Sequence, residues 1–215
     1  MSLRPQHERL TSGPKLVPAR TVCVMSARAR RLRIGPATGD LLIRTRRAGL
    51  AATVGHDLTI VATQWAGELT TGGDPATTEL TVDVDLASLE VRDGAGGALP
   101  LTDHDRSQIH DTMHRILTPS GAAVARFEAR AVAPSAGGGS IDGTLSLHGV
   151  TQPVRLTVTR TGTDGYQGTA TVRQSAYGIK PYSAMLGALK LRDEVQIDVD
   201  VHLDAAETVR PETLT

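Results

Sequence analysis

The stretch SIDGTLSLHGVTQPVRLTVTR, residues 140–160, decides how the rest of the chain is read. Ile141, Gly143, Leu145 and Leu147 alternate with Asp142, Thr144, Ser146 and His148. After a break, Val154, Leu156 and Val158 alternate with Arg155, Thr157 and Thr159. A two-residue period on both sides of a glycine-containing connection is the pattern of a β-hairpin with one dry face. Gly149 accepts positive φ, and Pro153 can only open a strand or lie at an edge, so the expected loop is about five residues, from His148 or Gly149 to Pro153.

The same alternation extends outward. Upstream, Leu41, Ile43 and Thr45 face away from Leu42, Arg44 and Arg46, and the small-residue link Ala48 to Gly55 leads to His56 and Asp57. Leu58, Ile60 and Ala62 then share a side that resumes at Trp65, Gly67 and Leu69, one residue out of phase near Gln64. Such a slip marks a β-bulge, a device that bends strands around a barrel. After the turn signal Gly72-Gly73-Asp74-Pro75 come Leu80, Val82, Val84 and Leu86. Ala123, Ala125, Phe127, Ala129, Ala131 and Ala133 form an unusually small inward face opposite Val124, Arg126, Glu128, Arg130 and Val132, which either admits a close neighbour or leaves a cavity. Downstream, Tyr166, Gly168, Ala170 and Val172 form one strand. Val195, Ile197, Val199, Val201 and Leu203 form another, after a Gly, Pro and Lys loop from Tyr177 to Leu191.

One segment breaks the period. Thr102 followed by Asp105 resembles a capping box, Ile109, Met113, Ile116 and Leu117 recur at helical spacing, and Thr118, Pro119 and Gly121 stop the run. The chain therefore reads as all-β with one inserted helix, about eight antiparallel strands with one wet and one dry face each. A sheet of that size must close or stack. Barrel and two-sheet sandwich both fit, with the slip at Gln64 favouring the barrel.

Composition narrows the function classes. A single cysteine, Cys23, excludes an internal disulfide. Trp65, Phe127, Tyr166, Tyr177 and Tyr182 are the only aromatics, so aliphatic side chains must fill the interior. The net charge of +0 hides a division: residues 1–36 hold eight Lys or Arg against Glu8 alone. Residues 1–36 are expected to be a basic tail of low order, with a start at Met25 within it, rather than an arm that leans on the acidic body or on an anionic partner such as nucleic acid or lipid headgroups. The barrel domain is expected at 37–207, with a short tail at 208–215. No apolar run of signal-peptide or membrane-span length follows Arg30 and Arg31, so the expectation is a cytoplasmic chain without a membrane span.

Chemistry-bearing constellations are sparse. His110 and His114 lie one turn apart on the expected helix, with His104 at its start and His56 elsewhere; together they are the candidate metal ligands of an alternative, metal-dependent or stress-related reading. No Glu follows His110 in a zincin pattern, both histidines border the helix's apolar stripe, and His56 reads more simply as fixing a turn. Ser146 lacks a nucleophile motif, Arg92-Asp93 reads as an ion-paired loop, and the glycine runs 94–97 and 137–139 lack the Lys and helix of a phosphate cradle.

Five stretches taken together resemble the YceI-like family of lipid-binding proteins: GHDLTI at 55–60, LEVRDG at 89–94, GTLSLHGVT at 143–151, GIKPYS at 178–183 and DEV at 193–195. The resemblance runs from about Gly39 to about Leu203, in the family's order. It implies an extended lipocalin-like antiparallel barrel of eight strands that holds a polyisoprenoid or fatty chain lengthwise, without enzymatic activity or cofactor. The chain departs from the family where many members carry an Arg-x-Asp-Phe-Gly-Ile run; here Gln174, Ser175, Ala176 and Tyr177 precede Gly178. On this reading the expected ligand-contacting residues are Trp65, Leu69, Ile109, Met113, Phe127, Ala129, Leu145, Leu147, Leu156, Val158, Tyr182 and Met185. Lys180, Lys190 and Arg192 are candidate cations for a phosphate or carboxylate at the mouth. Three or four isoprene units would contribute roughly 10 kcal/mol at about 0.8 kcal/mol per methylene, before ordering costs. A homodimer and a filled barrel serving a protein contact are the other partner expectations.

Overall fold

The alternating segments become strands in the computed structural model, which describes residues 30–71, 78–118, 124–203 and 207–208. In chain order they are β1 (Arg30–Ile34), β2 (Gly39–Arg44), β3 (Arg47–Ala48), β4 (Asp57–Ala62), β5 (Trp65–Thr71), β6 (Glu79–Asp85) and β7 (Leu89–Ala95), followed by the helix α1 (Asp103–Leu117). Then come β8 (Val124–Ser135), β9 (Gly138–Leu147), β10 (Val150–Arg160), β11 (Gly165–Arg173), β12 (Ser183–Ala184), β13 (Leu189–Leu191), β14 (Glu194–His202) and β15 (Glu207–Thr208).

Three pairs of these strands are single stretches of chain with a bend. β1 and β2 turn at Gly35–Thr38, β4 and β5 at Thr63–Gln64, β6 and β7 at Leu86–Ser88. The first stretch pairs with the second through β1–β5 and β2–β4, and the second with the third through β5–β6 and β4–β7. From β6 the ladder passes to β8, β9, β10, β11 and β14, and β14 returns to β2. Every pairing is antiparallel, and eight chain segments close on themselves as a lipocalin-like barrel. Closure removes most of the open edges that a sheet of this size would otherwise expose, leaving the first half of β10 without an outer partner. The bend is stapled by the Thr63 N–H to the Ser88 carbonyl at 3.1 Å, the Asp85 N–H to the Gln64 carbonyl at 3.1 Å, and the Gln64 N–H to Ser88 Oγ at 3.0 Å. The slip read near Gln64 is this corner.

The opening hairpin is tighter than expected. Leu147 pairs with Val150, leaving a two-residue turn in which His148 (φ 53°) and Gly149 (φ 74°) both take positive φ, the geometry that matches strand twist. Pro153 lies inside β10, opposite Thr144. Counted from the turn, that is a non-hydrogen-bonded position, so the missing N–H falls on the outer side, where β10 has no partner before Thr157.

Two further expectations shift. Arg30–Ile34, placed in the basic tail on charge, form β1: Leu32 is buried against β5, while Arg31 projects outward to pair with Glu68 at 2.9 Å. Residues 1–29, including Met25 and Cys23, lie outside the described residues. On β8 the inward alternation does not run to Ala133. The pairing with β9 shifts between Ala129 and Val132, which brings Val132 opposite Ile141 and into the packed interior.

The helix begins as expected. Thr102 Oγ1 accepts from the Asp105 N–H at 3.2 Å and the Asp105 carboxylate accepts from the Thr102 N–H at 3.0 Å, a complete capping box. Arg106 ties α1 to the β7 carbonyls of Val91 and Arg92, and His148 Nε2 lies 2.9 Å from the Leu117 carbonyl at the other end. No helix residue is buried, so α1 lies across one end of the barrel instead of inside it. None of the described helices is long and apolar enough to cross a membrane.

Candidate functional site

The two ends of the barrel are built differently. At the end bearing the 161–164 turn, Leu80, Ala129 and Ile141 form a packed cluster with Ile34, Leu69, Val82, Phe127, Val132, Leu156 and Val158. Towards α1 the interior opens into a cavity of about 730 Å³. Its floor is Leu80, Val82, Phe127 and Leu156. Leu41, Ile43, Leu58, Ile60, Trp65, Ala125, Leu145, Ala170, Ile197 and Val199 wall it, and Ile109, Met113, Ile116 and Leu117 of the helix cover one side. Among the described residues no large side chain is completely sealed from solvent, as expected when inward-facing groups surround a hollow.

Polar groups gather near the mouth: Thr45, Arg47, His56, Asp105, Gln108, Thr112 and Gln174 all reach the lining. Arg47 donates from Nη1 to the Gly55 carbonyl at 2.5 Å and the Ala95 carbonyl at 3.3 Å, so its guanidinium closes the gap between the ends of the 49–56 link and β7. His56 Nε2 lies 2.9 Å from the Leu99 carbonyl and holds the 96–101 loop, consistent with a turn-fixing histidine that also borders the cavity. The Thr102 hydroxyl and N–H hold the Asp105 carboxyl below its usual range. Among the described residues, two buried side-chain polar atoms have no hydrogen-bond partner, Trp65 Nε1 and the Tyr177 hydroxyl; burial pushes the Tyr177 phenol up.

Of the residues singled out from the sequence, the structure gathers Trp65, Ile109, Met113, Phe127, Leu145, Leu147, Leu156 and Tyr182 around this one cavity. Leu69, Ala129 and Val158 face inward but lie in the packed end, beyond the floor, because a two-residue period sets the face of a strand and not the depth. Met185 is exposed outside the mouth on a left-handed turn. Lys180, Lys190 and Arg192 also lie on the exposed rim and do not line the wall. The cation that does is Arg47, which stands between the alternating run ending at Arg46 and the Ala48–Gly55 link and is in neither. Its signal was available, since Arg47 continues the inward phase of Leu41, Ile43 and Thr45.

The alternative constellations do not assemble. His110 and His114 are neighbours, with ring centroids 6.5 Å apart, but His104 Nε2 is engaged with Gln108 at 2.9 Å and His56 with Leu99. Among the described residues no three His, Cys, Asp or Glu side chains converge as metal ligands. Ser146 Oγ shares a 2.7 Å hydrogen bond with Thr151 Oγ1. Arg92 makes a two-pronged pair with Asp40, at 2.8 and 2.9 Å, not with Asp93.

A closed antiparallel barrel with one apolar cavity and a helix over its mouth places the chain among the lipocalin-like barrel proteins. More closely, it belongs to the YceI-like family, whose domain model matches residues 33–203. Among solved structures it is similar to Burkholderia cenocepacia BcnA, with a TM-score of 0.51 and 17% identity over 76% of this chain and 94% of that one. A mutant of the Campylobacter jejuni YceI protein gives 0.50 and 11% identity over 71% and 85%. A polyisoprenoid-binding domain from Saccharophagus degradans gives 0.49 and 15% identity over 82% and 98%. Comparison with curated proteins yields no match.

Proposed function

We propose that the protein is a non-enzymatic carrier that holds one long apolar chain, polyisoprenoid or fatty-acyl, with its polar head at the mouth. The observation that carries this reading is the 730 Å³ cavity, apolar from floor to neck and polar only near its opening. A water occupies about 30 Å³ in the liquid and a methylene is of similar size, so the hollow accommodates roughly twenty carbons, four isoprene units or one long acyl chain. Dispersion and desolvation along such a chain require no polar constellation, and selection acts through length and shape. Arg47, beside His56 and Gln174, is the group that an anionic head meets first. The reading includes the cytoplasmic setting expected from the sequence and requires no second copy of the chain.

Native mass spectrometry of freshly purified protein tests it. The expected result is an added mass of several hundred daltons that disappears on organic extraction and is restored by geranylgeraniol or oleate. Protein that carries no such mass and quenches or enhances no cis-parinaric acid fluorescence would refute the reading. A bound transition metal abolished by His110→Ala would favour the metal-dependent alternative.

A further inference from the structure

The rim of the cavity exposes apolar side chains that the fold itself does not use. Leu50, Val54, Leu99, Tyr182, Met185 and Leu186 all stand open to solvent, Leu50 at 98% and Leu186 at 110% of full exposure. They come from three segments, 46–56, 96–101 and 178–192, that are bound into one surface. The Ala51 N–H donates to the Ala188 carbonyl at 2.9 Å and the Arg192 N–H to the Arg46 carbonyl at 2.7 Å, while His56 holds Leu99. Met185 (φ 52°) and Leu186 (φ 53°) are both left-handed, a backbone that L side chains resist, yet neither side chain is buried in return. Strain without compensating contacts inside the molecule is a mark of a functional surface.

The same three segments contain Arg46, Arg47, Lys180, Lys190 and Arg192 and no Asp or Glu. Among the described residues none of these five cations lies within ion-pair distance of a carboxylate, although Arg31, Arg44, Arg92, Arg126 and Arg155 on the barrel wall are paired. The neighbouring carboxylates are occupied: Asp57 accepts the Arg47 N–H, Asp193 accepts from Ser175, and Asp105 caps the helix.

We propose that this rim docks on an anionic lipid bilayer, with Leu50, Met185 and Leu186 entering the interface and Arg46, Lys180, Lys190 and Arg192 facing the headgroups. Protruding apolar tips ringed by basic residues are the combination that holds a protein at such an interface. A second copy of the chain is a poorer occupant, because a two-fold pairing would set one uncompensated basic rim against another. Docked this way, the cavity mouth opens onto the membrane and an apolar chain passes between bilayer and barrel without crossing water. That last consequence rests on the carrier reading; the docking itself does not.

Flotation of the full chain with vesicles of phosphatidylcholine, with and without phosphatidylglycerol, tests the proposal, with cis-parinaric acid titrated into vesicle-free portions of the same protein. The protein is expected to float with the anionic vesicles only and to be released by raised salt. Replacing Lys180 and Lys190 together by Gln lowers the partition coefficient about thirty-fold, at about five- to sixfold per basic residue, and Leu186→Asp or Leu50→Asp lowers it at least tenfold. These side chains are exposed, so circular dichroism and cis-parinaric acid binding stay as in the parent. Parent protein that does not float with anionic vesicles, or variants that float as it does, overturn the proposal. So does a dimer in sedimentation velocity that Leu186→Asp dissolves while no vesicle is bound. Probe binding without flotation removes the docking and leaves the carrier; flotation without probe binding removes the carrier and leaves the docking.

Discussion

Two alanines on one strand separate a hollow from a packed interior. Ala125 and Ala129 share the inward phase of β8, about 13 Å apart along the strand at about 3.3 Å per residue. Ala125 lines the cavity, whereas Ala129 is buried among Leu80, Ile141 and their neighbours. Ala125→Leu places three more carbons in the hollow. If they exclude about three methylenes of a chain that fills it, at about 0.8 kcal/mol each, binding weakens by about 2.4 kcal/mol, or roughly fifty-fold in Kd. Stability barely changes, because the added carbons enter open space. Ala129→Leu makes the same chemical change where no space exists, and overpacking costs about 1–3 kcal/mol of stability with little selective effect on the ligand. Displacement of cis-parinaric acid by prenols of increasing length gives the first quantity and thermal unfolding the second. The reasoning fails if Ala129→Leu expels the probe while Ala125→Leu does not, or if both variants lower Tm equally and bind as the parent does.

Other outcomes follow from the same structure. Thr102→Ala removes the capping box and costs about 1 kcal/mol of helix stability, so hydrogen exchange should accelerate in the first turn of α1 while the barrel strands keep their protection; unchanged exchange there would show that the cap does not hold the cover. Burial pushes the Asp198 carboxyl up, but hydrogen bonds from Gln196, Arg44 and Thr169 outweigh it, so it titrates below its ordinary value. A carboxyl depressed by folding adds stability that is complete above its unfolded pKa, near pH 4, and is lost as pH falls through the lower folded value. Asp40, Asp83 and Asp142, depressed by hydrogen bonds from Arg92, Arg126 and Arg155, act in the same sense. The urea midpoint should therefore fall below about pH 4, less steeply in Asp198→Asn, and a midpoint that rises on acidification contradicts this. Stripping bound lipid should lower Tm, since a ligand at one hundred times its Kd contributes about 2.7 kcal/mol; adding geranylgeraniol should restore the loss, and equal melting of stripped and loaded protein would count against a guest in the cavity.

Much of the fold was legible because a two-residue period reports which side of a strand is dry. Leu58, Ile60, Ala62 and Trp65 are buried on the phase read across Gln64, and the Thr102–Asp105 cap starts the helix where the spacing placed it. What the period does not carry is depth or register. It could not tell Leu69 and Val158, in the packed end, from Leu145 and Leu156, on the cavity. It also missed the slip after Ala129, because Arg130 and Ala131 carry no signal of which of them is extra. The two-residue turn was hidden by Pro153, whose cost vanishes only because β10 lacks an outer partner there, a fact of topology. Charge misled at the other end: Arg30 to Arg33 read as tail, although Leu32 and Ile34 supply the alternation of a strand whose arginines simply face water. Arg47 escaped notice for the opposite reason, being the polar member of an otherwise apolar inward series.

The hollow itself constrains what the protein can be. At about 24 cal/mol per Å³, a sealed and empty cavity of 730 Å³ would cost about 17 kcal/mol, more than the 5–15 kcal/mol by which a typical domain is stable. That cost weighs against a dry, vacant hollow; water entering through the mouth or a guest in the space relieves it. Water gains little there, for below the neck the wall offers aliphatic side chains and almost no partners for its hydrogen bonds. An apolar chain bound there, as proposed, would recover the contacts that the missing aromatic bulk would otherwise have made and would act as part of the core. The scarcity of Phe, Trp and Tyr, the small wall residues Ala125 and Ala170 and the half-exposed helix then have one physical explanation. On the carrier reading, the chain specifies a core with one component left out and leaves that component an opening lined by Arg47 and His56.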